Sequence, residues 1–393
     1  MELKDKIHVN YLPSTPKALT TGGKALFLVF GPLKVLFQIY SLFRLLLIVP
    51  QFSYILVQVQ FHLHFLYENP PSIPTIVVAR VVCSLRSARL VIDWHNLGYT
   101  LLALRLSPSH PLVQLHRIYE HYFSKCAYAH FCVTNLMRRH LMNQYGLENV
   151  TTLMDRPPDR FSPLNASAQS LFLTTLPETA RIDRSQTKIL VTSTSYTADE
   201  PLAPLLSALL KYSETPAALP RVLLLITGRG PMQEDYRQMI AKSSLNGKGS
   251  NDQCTVKMVW LEPEDYPRLL ACADLGISLH TSSSGMDFPM KIIDLFGSGV
   301  PVCAIQFEAF LSPVCSLTRR VGEVVQEGVN GVIFKTSDEL YEALVVSSRQ
   351  KFRLTKNLLS DDHELERLRL GVRNFECGTW SEEWDKLAKP VFA

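Results

Sequence analysis

The chain has 393 residues, 47% hydrophobic and 19% charged, which excludes a disordered polypeptide and suits a folded protein of about two domains. A formal net charge of +4, with no long Lys/Arg run and no zinc or RNP signature, gives no ground for nucleic acid as a partner. Eight scattered cysteines without a CxxC pair speak for buried free thiols in a reducing compartment rather than a disulfide framework.

Met1-Glu2-Leu3-Lys4-Asp5-Lys6 is not the start of a signal peptide. Residues 26–67 are the apolar extreme, and 45–67 carry no formal charge, a length that can span a bilayer. Pro50, Gln51, Gln58, Gln60, His62 and His64 are costly in lipid, however. Residues 31–49 therefore read as an apolar helix, with Lys34 and Arg44 on its polar side, lying against a membrane surface. A buried strand follows at 53–57, a helix at 73–85 after Asn69-Pro70-Pro71, and at 89–96 a strand running into a polar loop. The helix predicted over 112–126 carries Tyr119, Tyr122 and Phe123 with Glu120 amid them, a glutamate read as partner to a core Arg or a helix N-terminus. Then come a strand at 130–133, a helix to 144 capped by Thr134 or Asn135, and a strand at 150–153.

Residues 162–187 are Ser/Thr/Pro/Leu-rich and read as a connection. A second series continues with strands at 188–192, 221–227, 255–260, 275–279 and 301–305. Helices at 202–212, 232–243 and 265–271 alternate with them, and another begins near Asp287–Pro289. Such repetition predicts an α/β fold with parallel sheets between helices. The expected division is 1–165, a linker at 166–187, a second domain at 188–370 and a C-terminal helix at 371–393.

Three loops of the second series follow strand C-termini, where open α/β sheets bind ligands. Thr192-Ser193-Thr194-Ser195-Tyr196-Thr197 is rich in hydroxyls. In Thr227-Gly228-Arg229-Gly230-Pro231 the glycines allow close backbone approach and Arg229 can pair with phosphate. Ser282-Ser283-Ser284-Gly285 feeds a helix N-terminus that offers N–H groups to an anion, with Lys291 one turn in and Asp294 on the same face for a sugar hydroxyl. Together they suit a nucleotide diphosphate. Neither a Walker A motif nor a dinucleotide GxGxxG is present, and no Asp-x-Asp triplet offers to bridge a metal, so no metal or other cofactor is expected. In the first series, Asp93-Trp94-His95-Asn96 ends a strand facing the presumed cleft, where His95 can serve as a base tuned by Asp93. The competing reading is a loop-bonded His beside a core Trp94. His62 and His64 alternate without a third ligand nearby, which argues against a metal.

These segments, with Cys132-Val133-Thr134-Asn135 and Trp260-Leu261-Glu262, occur in the order of one family. From about Leu19 onward the chain resembles the chitobiosyldiphosphodolichol β-mannosyltransferases, glycosyltransferases of the GT-B class. The resemblance implies two Rossmann-like domains facing a cleft, the first membrane-associated and acceptor-binding, the second donor-binding. It implies inverting β-1,4 transfer of mannose from GDP-mannose to dolichol-diphosphate-linked chitobiose, on the cytosolic face of the endoplasmic reticulum membrane. His95 would act as base with Asp93. Ser193, Thr194, Ser195, Gly228, Arg229, Gly230, Ser283, Ser284, Gly285, Lys291 and Asp294 would hold the donor. Sister mannosyltransferases are possible partners. Against the family pattern the first domain reads as incomplete at its N-terminus, and 59–68 and 311–321 read as insertions. The alternatives are a later-acting α-mannosyltransferase of the same pathway and an inactive nucleotide-binding fragment.

Overall fold

Alternating apolar strands and helices build two parallel sheets in this computed structural model, one in each of two compact units. The structure describes residues 7–14, 27–59, 72–197, 200–215, 219–247, 253–281, 286, 290–306, 324–345, 358–375 and 379–393. The expectations for 60–68, His62, His64, 311–321 and the Ser283-Ser284-Gly285 loop fall outside these residues.

The first unit comprises residues 1–154 and Trp384–Ala393. Its elements are α1 (Phe27–Ile48), β1 (Tyr54–Val59), α2 (Ser72–Arg86), β2 (Arg89–Trp94), α3 (Gly98–Leu106), α4 (Pro111–Ser124), β3 (Ala129–Cys132), α5 (Asn135–Tyr145) and β4 (Val150–Thr152). The strands pair in the order β1-β2-β3-β4, all parallel. Crossovers between successive parallel strands are right-handed, so α2 to α5 lie on one face of this sheet. Leu42 of α1 packs with Val78 and Val82 of α2 above Ile55. Thr134 is the residue that caps α5, its hydroxyl accepting from Met137 N at 3.0 Å. The other sheet face, bearing Val91, Ala129, Phe131 and Leu153, is covered by Trp384, Leu387, Ala388, Val391 and Phe392. The chain end therefore belongs with the first sheet, where a separate C-terminal helix over 371–393 was expected. Its aromatic side chains cover a face that would otherwise expose an apolar sheet to water.

The second unit, Asp155–Glu383, starts earlier than the sequence pattern suggested. Asn165 caps a helix, α6 (Ala166–Thr175), inside the presumed linker, and Gln169 donates to Ala271 O at 2.8 Å. Then follow β5 (Thr187–Ser193), α7 (Ala203–Ser213), β6 (Arg221–Thr227), α8 (Gln233–Lys242), β7 (Cys254–Val259), α9 (Asp265–Ala271), β8 (Leu275–Ser278), α10 (Met290–Gly297), β9 (Val302–Ile305), β10 (Gly331–Phe334), α11 (Ser337–Val345) and α12 (Asp362–Arg373). The sheet order is β10-β9-β8-β5-β6-β7, entirely parallel. This is the doubly wound order of a Rossmann sheet, and its direction reverses between β5 and β8. Strands covered on both faces are apolar throughout, as in Ile189, Leu190 and Val191 of β5, all fully buried. At the strand N-termini, buried Asp274 accepts from Ile189 N and pairs with Arg184 and Arg369. Burial works to raise that carboxyl, but the Arg184 hydrogen bond and charge outweigh it and hold it below its ordinary value.

Candidate functional site

The reversal between β5 and β8 opens the second sheet at its C-terminal edge, and of the sequence-predicted donor residues the described ones, Ser193, Thr194, Ser195, Gly228, Arg229, Gly230, Lys291 and Asp294, lie on the elements that meet there. The β5 loop is tightly built. Thr194 N donates to Thr227 O at 2.9 Å, and Thr194 Oγ1 accepts from Tyr196 N at 2.9 Å. Tyr196 takes φ +50°, a left-handed conformation costly for a bulky residue, and its ring is fully buried. The loop hydroxyls are turned onto protein partners rather than simply displayed. Ser193 Oγ lies 2.9 Å from Tyr266 Oη, and Ser195 Oγ lies 2.9 Å from Glu200 Oε2.

The glycines of the β6 loop approach the β5 loop. A Cβ on Gly228, which has φ +128°, would stand 1.8 Å from Thr194 O. On Gly230 it would stand 1.6 Å from Ser195 O. Their small size is thus needed for loop-on-loop packing, whatever they offer a ligand. Gly230→Ala is expected to displace the 193–197 loop or abolish soluble expression, since the obstruction is backbone and cannot rotate away. Circular dichroism and thermal melting of purified G230A check this, and an unchanged melting temperature would contradict it. Arg229 lies with its guanidinium 3.6 Å from the centroid of the exposed Trp260 ring, which holds the cation at the loop tip.

Glu200 organises the site, and sequence reading passed over it. Buried and immediately N-terminal to Pro201, it accepts from Ser195 N at 2.6 Å and from Ser195 Oγ, and it forms an ion pair with Lys291. His280 Nδ1, just past β8, lies 3.6 Å from its other oxygen. Burial works to raise this carboxyl. The neighbouring His280 ring, the Lys291 charge and the Ser195 N–H outweigh burial and hold it well below the usual carboxylate range. The only cue in the sequence is an acid five residues after Ser195.

Asp294, one turn after Lys291 on α10, is partly buried, and burial raises its carboxyl to about 6 against the opposing charges of Arg160 and Lys291. A raised carboxyl favours the protonated fold. Stability on this account is full below about pH 4, falls as pH rises through about 6, and stays lower above it. Asp294→Asn is therefore expected to be more stable than the parent above pH 6, by about 2 kcal/mol, with the gap closing near pH 4. Urea unfolding of both proteins at pH 4, 5, 6 and 7.5 tests the sign.

The first unit carries the other predicted residues. The turn after β2 is fixed by Val59 O, which accepts from His95 N at 3.1 Å and Asn96 N at 3.2 Å. His95 Nε2 lies 2.9 Å from Asp93 Oδ2, with the Gln58 side-chain amide at the same distance from that nitrogen. Both features of the competing reading are present too: the loop backbone is bonded, and Trp94 is wholly buried against His130. Burial lowers His130 to about 4, so it is neutral at physiological pH. What goes beyond that reading is the carboxylate on the His95 ring. When Nε2–H is donated to Asp93, the ring's lone pair sits on Nδ1. Glu120 does serve a helix N-terminus: its Oε1 accepts from Gly98 N at 3.0 Å, at the start of α3 and three residues after His95. Its Oε2 is buried without a hydrogen-bond partner. Among the described residues no three His, Cys, Asp or Glu side chains cluster as a metal site.

No family model matches the chain. It is 40% identical over 395 residues to the chitobiosyldiphosphodolichol beta-mannosyltransferase of Arthroderma benhamiae, covering 97% of this chain and 81% of that one. It is 37% identical to the enzyme of the same name from Dictyostelium discoideum, covering 91% and 76%. Among solved structures it resembles the sucrose-phosphate synthase of Thermosynechococcus elongatus, with a TM-score of 0.58 at 13% identity, over 93% of this chain and 78% of that one. That likeness supports the GT-B fold class, with a Rossmann-like sheet in each unit. At this level of identity and coverage, the chain belongs to the chitobiosyldiphosphodolichol beta-mannosyltransferase family.

Proposed function

We propose that this chain transfers mannose from GDP-mannose to dolichol-diphosphate-linked chitobiose, forming a β-1,4 linkage with inversion. The work is done at the cytosolic face of the endoplasmic reticulum membrane. The observation that carries the reading is 40% identity to a named β-mannosyltransferase across nearly the whole chain.

Inversion takes one in-line displacement, with a base on the acceptor hydroxyl and electrostatic help for the departing diphosphate. In this reading His95 accepts the hydroxyl proton at Nδ1. Asp93, on Nε2, fixes the tautomer and stabilises the imidazolium that forms. The attacking oxygen bonds to the anomeric carbon as its bond to GDP breaks. Ser193, Thr194, Ser195, Gly228 and Gly230 shape the donor pocket, with Ser283, Ser284 and Gly285 from the stretch that precedes α10 in sequence. Arg229 and Lys291 offset the charge on the leaving diphosphate, and Asp294 meets the ribose. These cations take the place of a bridging metal, so no obligatory metal is part of the mechanism.

The test is transfer from GDP-mannose to phytanyl-diphosphate-linked chitobiose in detergent, with and without EDTA, followed by digestion with linkage-specific mannosidases. A β-linked product insensitive to EDTA is expected. An α-linked product would identify a later-acting transferase, and GDP binding without transfer would identify an inactive nucleotide-binding protein.

A further inference from the structure

The helical layer of the first unit has an outer surface that its own fold does not explain. Nearly half of the large apolar side chains exposed among the described residues lie on α1, α2 and α4. On α4 they are ordered. Pro111, Leu115, Ile118 and Tyr122 recur at helical spacing, with Leu112 beside them, and Leu115, Ile118 and Tyr122 are each 60–63% exposed. This is one face of a helix, and it points away from the inner face that carries Val113 and Glu120. A second line of residues, Gln114, Arg117, His121 and Lys125, runs beside the first at the same period. Leu33, Leu36, Tyr40, Leu47 and Ile48 add exposed apolar area on α1, and Val81 and Leu85 do so on α2.

Charge narrows the choice of partner. α1, α2 and α4 together contain one acidic residue, Glu120, and it is buried. Their basic residues are Lys34, Arg44, Arg80, Arg86 and Arg117, with Lys125 capping α4. A soluble protein partner would be met by mixed charge around an apolar centre. An apolar stripe flanked by cations with no exposed acid matches an anionic lipid surface, with side chains in the acyl boundary and cations at the headgroups.

Topology ties this surface to the reaction edge. α4 ends just before β3 begins, and the strands are parallel, so α4 runs from the strand C-terminal edge back to the N-terminal edge. Its first turn, Pro111 to Leu115, thus lies at the edge where β2 delivers Asp93 and His95.

We propose that α4 is an interfacial helix: its Leu115/Ile118/Tyr122 stripe, with the exposed face of α1, seats the first unit on an anionic bilayer. The lipid-linked acceptor then enters with its diphosphate near the β2 edge. This deepens the functional reading above and rests on it for the nature of the acceptor. The apolar helix 31–49 was the expected contact with a membrane surface; by length and composition alone Gly31–Ile48 could also cross a bilayer. The new element is α4.

The experiment uses the full chain and vesicles of phosphatidylcholine alone or with 30% phosphatidylserine, read by co-flotation. Leu115→Asp/Ile118→Asp should lower partitioning to both vesicles by about tenfold or more. Arg117→Glu/Lys125→Glu should lose about tenfold on the anionic vesicles only, and with it the salt dependence. Transfer to a short-chain acceptor in detergent should be unchanged in both variants, while transfer to acceptor embedded in vesicles falls with partitioning. Parent-like flotation of both variants would overturn the proposal and leave the contact to α1. Flotation is scored separately from transfer. A parent that floats but transfers nothing would refute the proposed reaction, not the lipid surface.

Discussion

His95→Ala is expected to lower transfer to chitobiose about a hundred- to ten-thousand-fold, with melting temperature and GDP affinity close to the parent's. The range is what a positioned base contributes, and His95 is only 17% exposed at its side chain, beside a carboxylate 2.9 Å away. Asp93→Asn should come close to the same loss while keeping the shape. An asparagine amide donates where the carboxylate accepts, so it favours the tautomer with the proton on Nδ1, and the lone pair moves to the wrong nitrogen. Turnover numbers for parent, H95A and D93N, measured with saturating donor and acceptor, decide the matter. Normal turnover by H95A would remove His95 from the chemistry and leave its contacts as turn architecture. A loss in H95A without one in D93N would keep the base and remove the orienting role.

Lys291→Ala should destabilise the protein by about 3–5 kcal/mol and weaken GDP-mannose binding. Its partner Glu200 is 5% exposed at the side chain, and without the ammonium the carboxylate is left buried with Ser195 and His280. Removing one half of a buried pair costs more than removing both. Glu200→Gln/Lys291→Met should therefore recover much of the stability lost in the single variant, because the glutamine still accepts from Ser195 N. The double variant separates the two roles of Lys291. If it melts near the parent but binds GDP-mannose as weakly as Lys291→Ala, Lys291 meets the diphosphate. If stability and affinity recover together, the lysine only braces the β5 loop through Glu200. Guanidinium unfolding and calorimetry with GDP supply both readings.

The first of these arguments could be written from the sequence, and the second could not. Apolar runs of four to seven residues alternating with amphipathic stretches fix where strands and helices lie, because burial on a sheet face or a helix stripe imposes a local period. Hence 221–227 and 265–271 were read with the bounds that β6 and α9 have. Asp93 and His95 were paired on paper because both stand where the strand from Arg89 runs out into a polar loop, two residues apart. Local pattern does not report which distant group answers a buried charge. Glu200 and Lys291 are 91 residues apart and meet only because the sheet reverses between β5 and β8, bringing the loop after β5 beside the first turn of α10. The same holds for Gly230 against Ser195, for α6 within a stretch that looked like a linker, and for the C-terminal Trp384–Ala393 on the face of a sheet begun more than three hundred residues earlier. Composition and period determined the elements, the fold class and the closeness of Asp93 to His95. Tertiary packing decided which hydroxyls turn inward, which cation pairs with a buried carboxylate and which apolar faces stay exposed, since each depends on Coulomb and steric contacts between segments remote in the chain.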